Sequence, residues 1–540
     1  MDERVQKIYQ RLQKREYRSL RNKEQAELSE ACKSTQDLAL RSAKRLTELV
    51  QAERAILFPE DRIGMMRTVK NVPQLLCDKE KEKYHANHFV FDGAQVCNIS
   101  SDYEGALREG FDGKRARIRA EMKKYSEGST QYNQLKAMDL AVDAILLLAE
   151  KYRAEAERMG NTHLLEALSN VPAHSPRSYY EALVMMRLIN FTLWLNGNKH
   201  NTLGRFDVYM YPYFQSDIAR GTLTRADALA LTQEFFIDLN FDADLYPGVQ
   251  QGDNGQSLVL GGVDPDGCEV WNELSELCLD ASLSLNLIDP KINIRVSGKT
   301  PYEVYYRGTL LTKQGLGFPQ YSNDDVVIPA LVDLGYELRD ARNYVVAACW
   351  EFIIPGVAYD IPNVDALNYP QVVLDTLKGE LLSCETFEAL MRRVKSEIGK
   401  TCAELAGRTK NIFVEPSPFQ SVLMTDCIAQ AKDIAYGAKY NNYGFHGAGL
   451  STAADSLAAV RKLVYDDGSV SAEQLLAALD ADFKGYDDVR AKCLAAPKMG
   501  NNDDYVDGIA VELTDCFADS LSGLKNDRGG IFRACTGSAM

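Results

Sequence analysis

From Gly204 onward the chain alternates short apolar, β-branched runs (206–211, 257–263, 292–296 and 344–348) with longer runs of helical period such as 225–239 and 271–284. Short strand-like runs separated by helical ones argue for an α/β core. The expectation is therefore an α/β fold. Upstream the texture differs. Residues 1–55 are charge-rich with leucines at helical spacing, 59–101 read as loop, and 103–159 and 177–195 read as helices. No Pro/Gly/Ser-rich linker interrupts the chain, so a core with an outer helical layer is expected rather than a row of separate domains.

Composition matters chiefly for what it removes. With 540 residues, 46% of them hydrophobic and 25% charged, the chain can bury a large core. A formal charge of -15 with scattered Lys and Arg excludes nucleic acid as a partner, because phosphate backbones demand clustered basic residues. The longest apolar stretches fall short of the about 20 residues that span a bilayer, so no membrane partner is expected. The start Met1-Asp2-Glu3-Arg4 lacks a signal pattern, and a cytoplasmic location is expected. None of the twelve cysteines forms a Cys-x-x-Cys pair, which weakens zinc and iron–sulfur readings, and no metal is expected. Most are read as reduced core thiols.

One cysteine departs from that class. The run Tyr344-Val345-Val346-Ala347-Ala348 fits a buried strand and ends at Cys349-Trp350-Glu351, with Pro355-Gly356 close behind. A thiol and a carboxylate two residues apart thus fall on a loop at a strand end, where reactive groups concentrate. Taken alone, Cys-x-Glu is a common pattern and reads as a core thiol followed by an exposed glutamate.

Several further segments stand in order along the chain: Cys97-Asn98-Ile99-Ser100-Ser101-Asp102-Tyr103, Leu203-Gly204-Arg205-Phe206-Asp207-Val208-Tyr209, Leu260-Gly261-Gly262-Val263-Asp264, Gly315-Leu316-Gly317-Phe318-Pro319 with Asn323-Asp324, Ala453-Ala454-Asp455-Ser456-Leu457, Pro497-Lys498-Met499-Gly500-Asn501, and Thr536-Gly537-Ser538-Ala539. With the Cys349 segment they resemble glycyl radical enzymes of the pyruvate formate-lyase superfamily, across residues 60–540. The resemblance implies a ten-stranded barrel of two half-sheets surrounded by helices, incomplete in this chain, with the Cys loop reaching into its middle. Residues 56–540 would form that barrel domain without the C-terminal glycyl radical domain, and 1–55 an N-terminal helical segment.

The same resemblance assigns roles. Cys349 would be the thiyl site that abstracts hydrogen, and Glu351 the group that moves protons. Ala348 stands where the thioester-forming branch has a second cysteine, so that branch lacks its sulfur. The implied activity is C–O, C–N or C–S elimination from a small polar metabolite. An arylacetate-type decarboxylase or a C–C bond-forming synthase is the enzymatic alternative, and a catalytically silent scaffold or regulatory homologue the alternative of another class.

Around that pair, Asp207, with Phe206 beside it, would face the substrate, or else be a buried carboxylate bonded to Arg205 or a backbone amide. Trp350 would pack outward against the barrel wall or narrow the pocket. His446, in the Gly-rich run 442–449, reads as part of a barrel loop, near the substrate or structural. Arg295 reads as a structural ion pair ahead of a clamp for a substrate carboxylate.

Family members carry a glycyl loop of the form Arg-Val-x-Gly-Tyr, which this sequence lacks; Gly298 in Arg295-Val296-Ser297-Gly298-Lys299 is a partial lookalike and is not assigned. A separate glycyl-radical-bearing subunit is the preferred explanation, ahead of truncation or loss of radical chemistry, since Cys349 and Glu351 are both kept. A radical S-adenosylmethionine activating enzyme would be a second partner. A homo- or hetero-oligomer is expected, and no tightly bound organic cofactor.

Overall fold

In the computed structural model, which describes residues 1–90, 96–242, 245 and 254–537, parallel strands follow one another in chain order. β1 (Cys97–Ile99) pairs with β2 (Lys199–Asn201). The backbone beyond β2 meets β3 (Ser257–Gly261) through the parallel bridge Gly204–Leu258. β3 pairs with β4 (Lys291–Val296), and β4 with β5 (Gln320–Asn323). Parallel strands need a crossover between them. Here Tyr179–Leu195 leads into β2, Arg225–Asn240 joins β2 to β3, Glu273–Leu285 joins β3 to β4, and Tyr302–Thr312 joins β4 to β5.

After β5 the chain turns back as an antiparallel hairpin, β6 (Val345–Ala347) and β7 (Glu351–Ile353). Its apolar stem, Val345, Val346, Ala347 and Ile353, packs on Val259 of β3 in a fully buried cluster.

The chain divides into two compact units. The first comprises Met1–Lys83, Asp92–Tyr359 and Val414–Tyr440, and holds β1 to β7. Residues 1–55 are built into it: Arg11 meets Asp61 at 3.0 Å and Arg45 meets Glu415 at 3.1 Å, both largely buried. The second comprises Tyr84–Phe91, Asp360–Phe413 and Asn441–Met540. It holds β8 (Ile361–Asn368), β9 (Tyr443–Ala448) and β10 (Phe532–Gly537) in the parallel order β10-β9-β8, and a short pair of Phe89–Val90 with Ile412–Phe413.

Among the described residues the strands form these separate sheets, the hairpin antiparallel and the others parallel, with no closed barrel. Two expectations need adjustment. Residues 206–211, read as a strand, form the helical turn Phe206–Tyr209 and the start of Tyr211–Arg220. The left-handed Gly204 (φ +62°) turns the backbone out of the sheet there, and tertiary context overrides β-propensity. The Gly-rich run containing His446 is no loop but the central strand β9. A Cβ on Gly444 would fall 2.2 Å from the Pro362 carbonyl oxygen, so the glycine permits close approach of two strands rather than marking a turn. Ser538 and Ala539 of the closing motif lie outside the described residues. No helix among the described residues is long and apolar enough to cross a membrane.

Candidate active site

Hairpin β6–β7 is closed by three residues, Ala348, Cys349 and Trp350, between the paired Ala347 and Glu351. Three-residue hairpin loops commonly place one residue in the left-handed region. Ala348 takes it, at φ +47°. A non-glycine residue held there costs about 1–2 kcal/mol, so the surroundings must hold the turn in place.

Part of that hold comes from Glu351. Its Oε2 accepts the N–H of Cys349 at 2.8 Å and the N–H of Trp350 at 2.9 Å, folding the carboxylate back across the tip. Cys349 is exposed, and Trp350 is 47% exposed rather than buried in the unit's core. The tip therefore presents a thiol and a carboxylate whose relative position is set by two charge-assisted hydrogen bonds to the backbone between them. That arrangement can pair hydrogen-atom transfer at sulfur with proton transfer at oxygen.

The hairpin runs back along the parallel strands, so its two ends meet opposite ends of β3. At the tip, the Ser257 hydroxyl at the start of β3 donates to the Ala348 carbonyl at 3.3 Å. At the stem, β3 ends on Gly261, whose N–H donates to Asp207 Oδ2 at 2.8 Å. Four residues of strand separate the two contacts, about 13 Å at some 3.3 Å per residue. The structure thus brings Asp207 to the stem and not to Cys349.

Asp207 is wholly buried, and the Ser275 hydroxyl donates to the same Oδ2 at 2.6 Å. Its Oδ1 has no partner among the described residues. Burial pushes its carboxyl up to about 6, against the pull of those two bonds and of Arg205 and Arg295. This is the buried carboxylate bonded to a backbone amide that the sequence held open. Phe206 packs edge-on to Tyr209 and stacked on Phe235 in the core. Arg205 donates to the carbonyls of Gly261 at 2.9 Å and Val263 at 2.6 Å; burial, aided by Arg295, draws its guanidinium down to about 9.

Arg295 is the ion pair expected of it. It binds Asp324 through two parallel bonds of 2.8 and 2.9 Å, donates to the Tyr344 carbonyl at 3.1 Å, and lies 4.0 Å over the Tyr344 ring. The Tyr344 hydroxyl completes the ring of contacts on Asp324 Oδ1 at 2.8 Å. Since Tyr344 leads directly into β6, this network anchors the stem. His446 belongs to the second unit, where it sits on β9 opposite Cys535 and Ala366.

One group within reach of the tip carboxylate had no role in the sequence reading. Cys97 starts β1 opposite Lys199 of β2. Burial pushes the Cys97 thiol up to about 11, with Lys199 pulling it down and the Glu351 charge adding to the rise. Cys97 is thus a neutral thiol within electrostatic reach of the tip carboxylate. Nothing in a lone cysteine ahead of Asn98 signals this, because the neighbour is more than 250 residues away.

A family model described as pyruvate formate lyase-like matches residues 69–539. The chain is 26% identical over 494 residues to (2S)-3-sulfopropanediol dehydratase of Klebsiella oxytoca, covering 83% of this chain and 60% of that protein. It is 28% identical over 442 residues to trans-4-hydroxy-L-proline dehydratase of Clostridioides difficile, covering 74% and 56%. The chain therefore spans less than two thirds of the length of these curated relatives. Among solved structures, the glycerol-bound B12-independent glycerol dehydratase from Clostridium butyricum matches with a TM-score of 0.85 at 22% identity, over 99% of this chain and 80% of that one, a likeness of fold.

Proposed function

This chain belongs to the pyruvate formate lyase-like family of glycyl radical enzymes, on its dehydratase and lyase branch, and from that premise we propose that it carries the reacting cysteine of a radical eliminase for a small polar metabolite. The observation that carries the proposal is the tip itself, where the Glu351 carboxylate is tied to the amides of Cys349 and Trp350 beside the exposed thiol.

The radical, stored on a glycine outside these residues, would remove the hydrogen atom of the Cys349 thiol; an exposed thiol fits a group that must reach it from another segment. The Cys349 sulfur would then take a hydrogen atom from a substrate C–H. Loss of the neighbouring C–O, C–N or C–S bond follows, with Glu351 taking a proton from the substrate or giving one to the leaving group. The product radical recovers its hydrogen from the Cys349 thiol, so the cycle closes with no net oxidation. The likeness to the sulfopropanediol and hydroxyproline dehydratases supports C–O cleavage first. The isethionate sulfite-lyase of Desulfovibrio desulfuricans, 26% identical over 490 residues, supports C–S cleavage as the nearest variant.

The radical glycine and the further strands of a ten-stranded barrel are proposed to come from a second polypeptide or from sequence outside these 540 residues. Activation by a radical S-adenosylmethionine enzyme under anaerobic, cytoplasmic conditions belongs to the same proposal. The test is anaerobic activation of the chain together with its glycyl-bearing segment. Electron paramagnetic resonance should show a glycyl doublet, and a panel of small hydroxy, amino and sulfonate substrates should yield one that turns over. Cys349→Ala should abolish turnover, a loss of more than about 1,000-fold, while the doublet and the circular dichroism remain. Surviving activity would remove Cys349 from the reaction.

A further inference from the structure

A strand in an antiparallel pair turns alternate carbonyls toward its partner and the others away. On the β6 side of the hairpin, the alternate carbonyls of Tyr344, Val346 and Ala348 are each met by a side chain from the parallel strands. Arg295 Nη1, on β4, donates to Tyr344 at 3.1 Å. Thr202 Oγ1, just past β2, donates to Val346 at 3.0 Å. Ser257 Oγ, opening β3, donates to Ala348 at 3.3 Å. All three acceptor residues and all three donor residues are buried, where an unmet carbonyl loses the partner that water would supply. Thr202 Oγ1 shares its one proton with the Ser257 carbonyl at 2.8 Å, and it accepts the Gly204 N–H at 3.2 Å, which locks the hydroxyl in place.

We propose that Thr202, Ser257 and Arg295 are positioning residues that set how far the hairpin, and with it Cys349, reaches along the parallel strands. Arg295 reaches from β4 and the two hydroxyls from the ends of β2 and β3, and each meets one carbonyl of β6. A slip that kept the same face inward would shift β6 by two residues, about 6.6 Å, and leave the donor at one end of the row, Ser257 or Arg295, facing Trp350 of the turn or Arg342 of the preceding helix in place of a strand carbonyl. The inference deepens the reading of Cys349 as the reacting thiol and rests on it for its functional meaning. Its geometry does not depend on radical chemistry.

The experiment is hydrogen exchange with peptide mapping on the full chain as purified, comparing the parent with Thr202→Val, Thr202→Ser and Ser257→Ala. Peptides covering 344–353 should exchange about 3- to 10-fold faster in Thr202→Val and Ser257→Ala, the effect of one lost hydrogen bond on local opening. Strands 257–261 and 291–296 should stay within about twofold of the parent, and Thr202→Ser, which keeps the hydroxyl, should restore the parental rate. Unchanged exchange in 344–353, equal acceleration in all three regions, or failure of Thr202→Ser to restore it would each overturn the proposal. Should Thr202→Val not fold, Ser257→Ala decides alone. In activated preparations kcat should fall with KM unchanged. If the parent itself shows no turnover while the exchange contrast persists, the positioning stands and the radical reading fails.

Discussion

At the tip of the hairpin, Glu351 accepts two backbone amides; at the stem, Asp207 accepts one backbone amide and one hydroxyl. The bonding is similar and the surroundings are not. Glu351 is only partly buried, next to an exposed cysteine, whereas Asp207 is sealed from solvent with one oxygen unpartnered among the described residues. Burial outweighs the hydrogen bonds at Asp207 and holds its proton to about pH 6. Two hydrogen bonds to a carboxylate thus hold a half-exposed group at the tip and a sealed one at the stem. The difference between them is solvation.

The stem should answer mutation with the larger loss of stability. Replacing Arg295 by Met strands Asp324 in the core, left among the described residues with the Tyr344 hydroxyl and the Val263 amide. Removing one partner of a buried pair costs about 3–5 kcal/mol, read as a shift in the urea midpoint. Adding Asp324→Leu should recover most of it. A loss below about 1 kcal/mol from Arg295→Met would mean that the stem does not anchor the hairpin, and the contrast between the two ends would collapse.

Asp207 sharpens the contrast through pH. The folded chain keeps its proton up to about pH 6, whereas the unfolded chain releases it near 3.8. Between those values the folded state binds more protons, so the stability contributed by this group is present at low pH and is lost as pH rises through the window. Asp207→Asn cannot titrate. Its unfolding free energy relative to the parent should therefore rise by about 2–3 kcal/mol between pH 3.5 and 7. Asp61, whose carboxyl burial also pushes up to about 6, titrates in both proteins and cancels in the difference. A flat difference across that range would show that Asp207 is solvated in the folded chain.

How much of this was legible beforehand follows the range of the interactions. The α/β alternation was readable because each strand and helix declares itself within about a dozen residues; the parallel pairing is a long-range fact that the alternation alone did not state. Val345-Val346 declared β6, and Arg295 within an alternating strand declared a buried ion pair. The misreadings at Phe206–Tyr209 and β9 are places where a distant contact overrules a local pattern. In the first, Asp207 is drawn to Gly261, 54 residues on; in the second, Gly444 lets β8 approach. The donors that hold the hairpin were invisible for the same reason. Thr202 and Val346 are 144 residues apart, and an isolated hydroxyl in a polar stretch carries no period to detect. The Cys349–Glu351 pair was singled out because its segment stands in order with others that resemble one family, not by its spacing alone. What ties the carboxylate back to the tip amides is geometry that no spacing rule contains.

The smallest effect belongs to the tip and probes whether its geometry is imposed or intrinsic. Ala348 holds φ +47°, which costs an alanine about 1–2 kcal/mol and a glycine almost nothing. Glycine also gains freedom in the unfolded chain, worth about 0.5–1 kcal/mol against folding, so the two terms nearly cancel. Ala348→Gly should leave the urea midpoint within about 1 kcal/mol of the parent, on the stabilising side. The outcome discriminates because the Ser257 hydroxyl and the Glu351 carboxylate bind backbone atoms at the tip, which the substitution leaves in place. If the left-handed turn is imposed by those bonds, glycine relieves strain that they were holding. A clear destabilisation would instead show that the Ala348 methyl is itself part of the packing, and that the tip, like the stem, is held by buried contacts rather than by hydrogen bonds to its backbone.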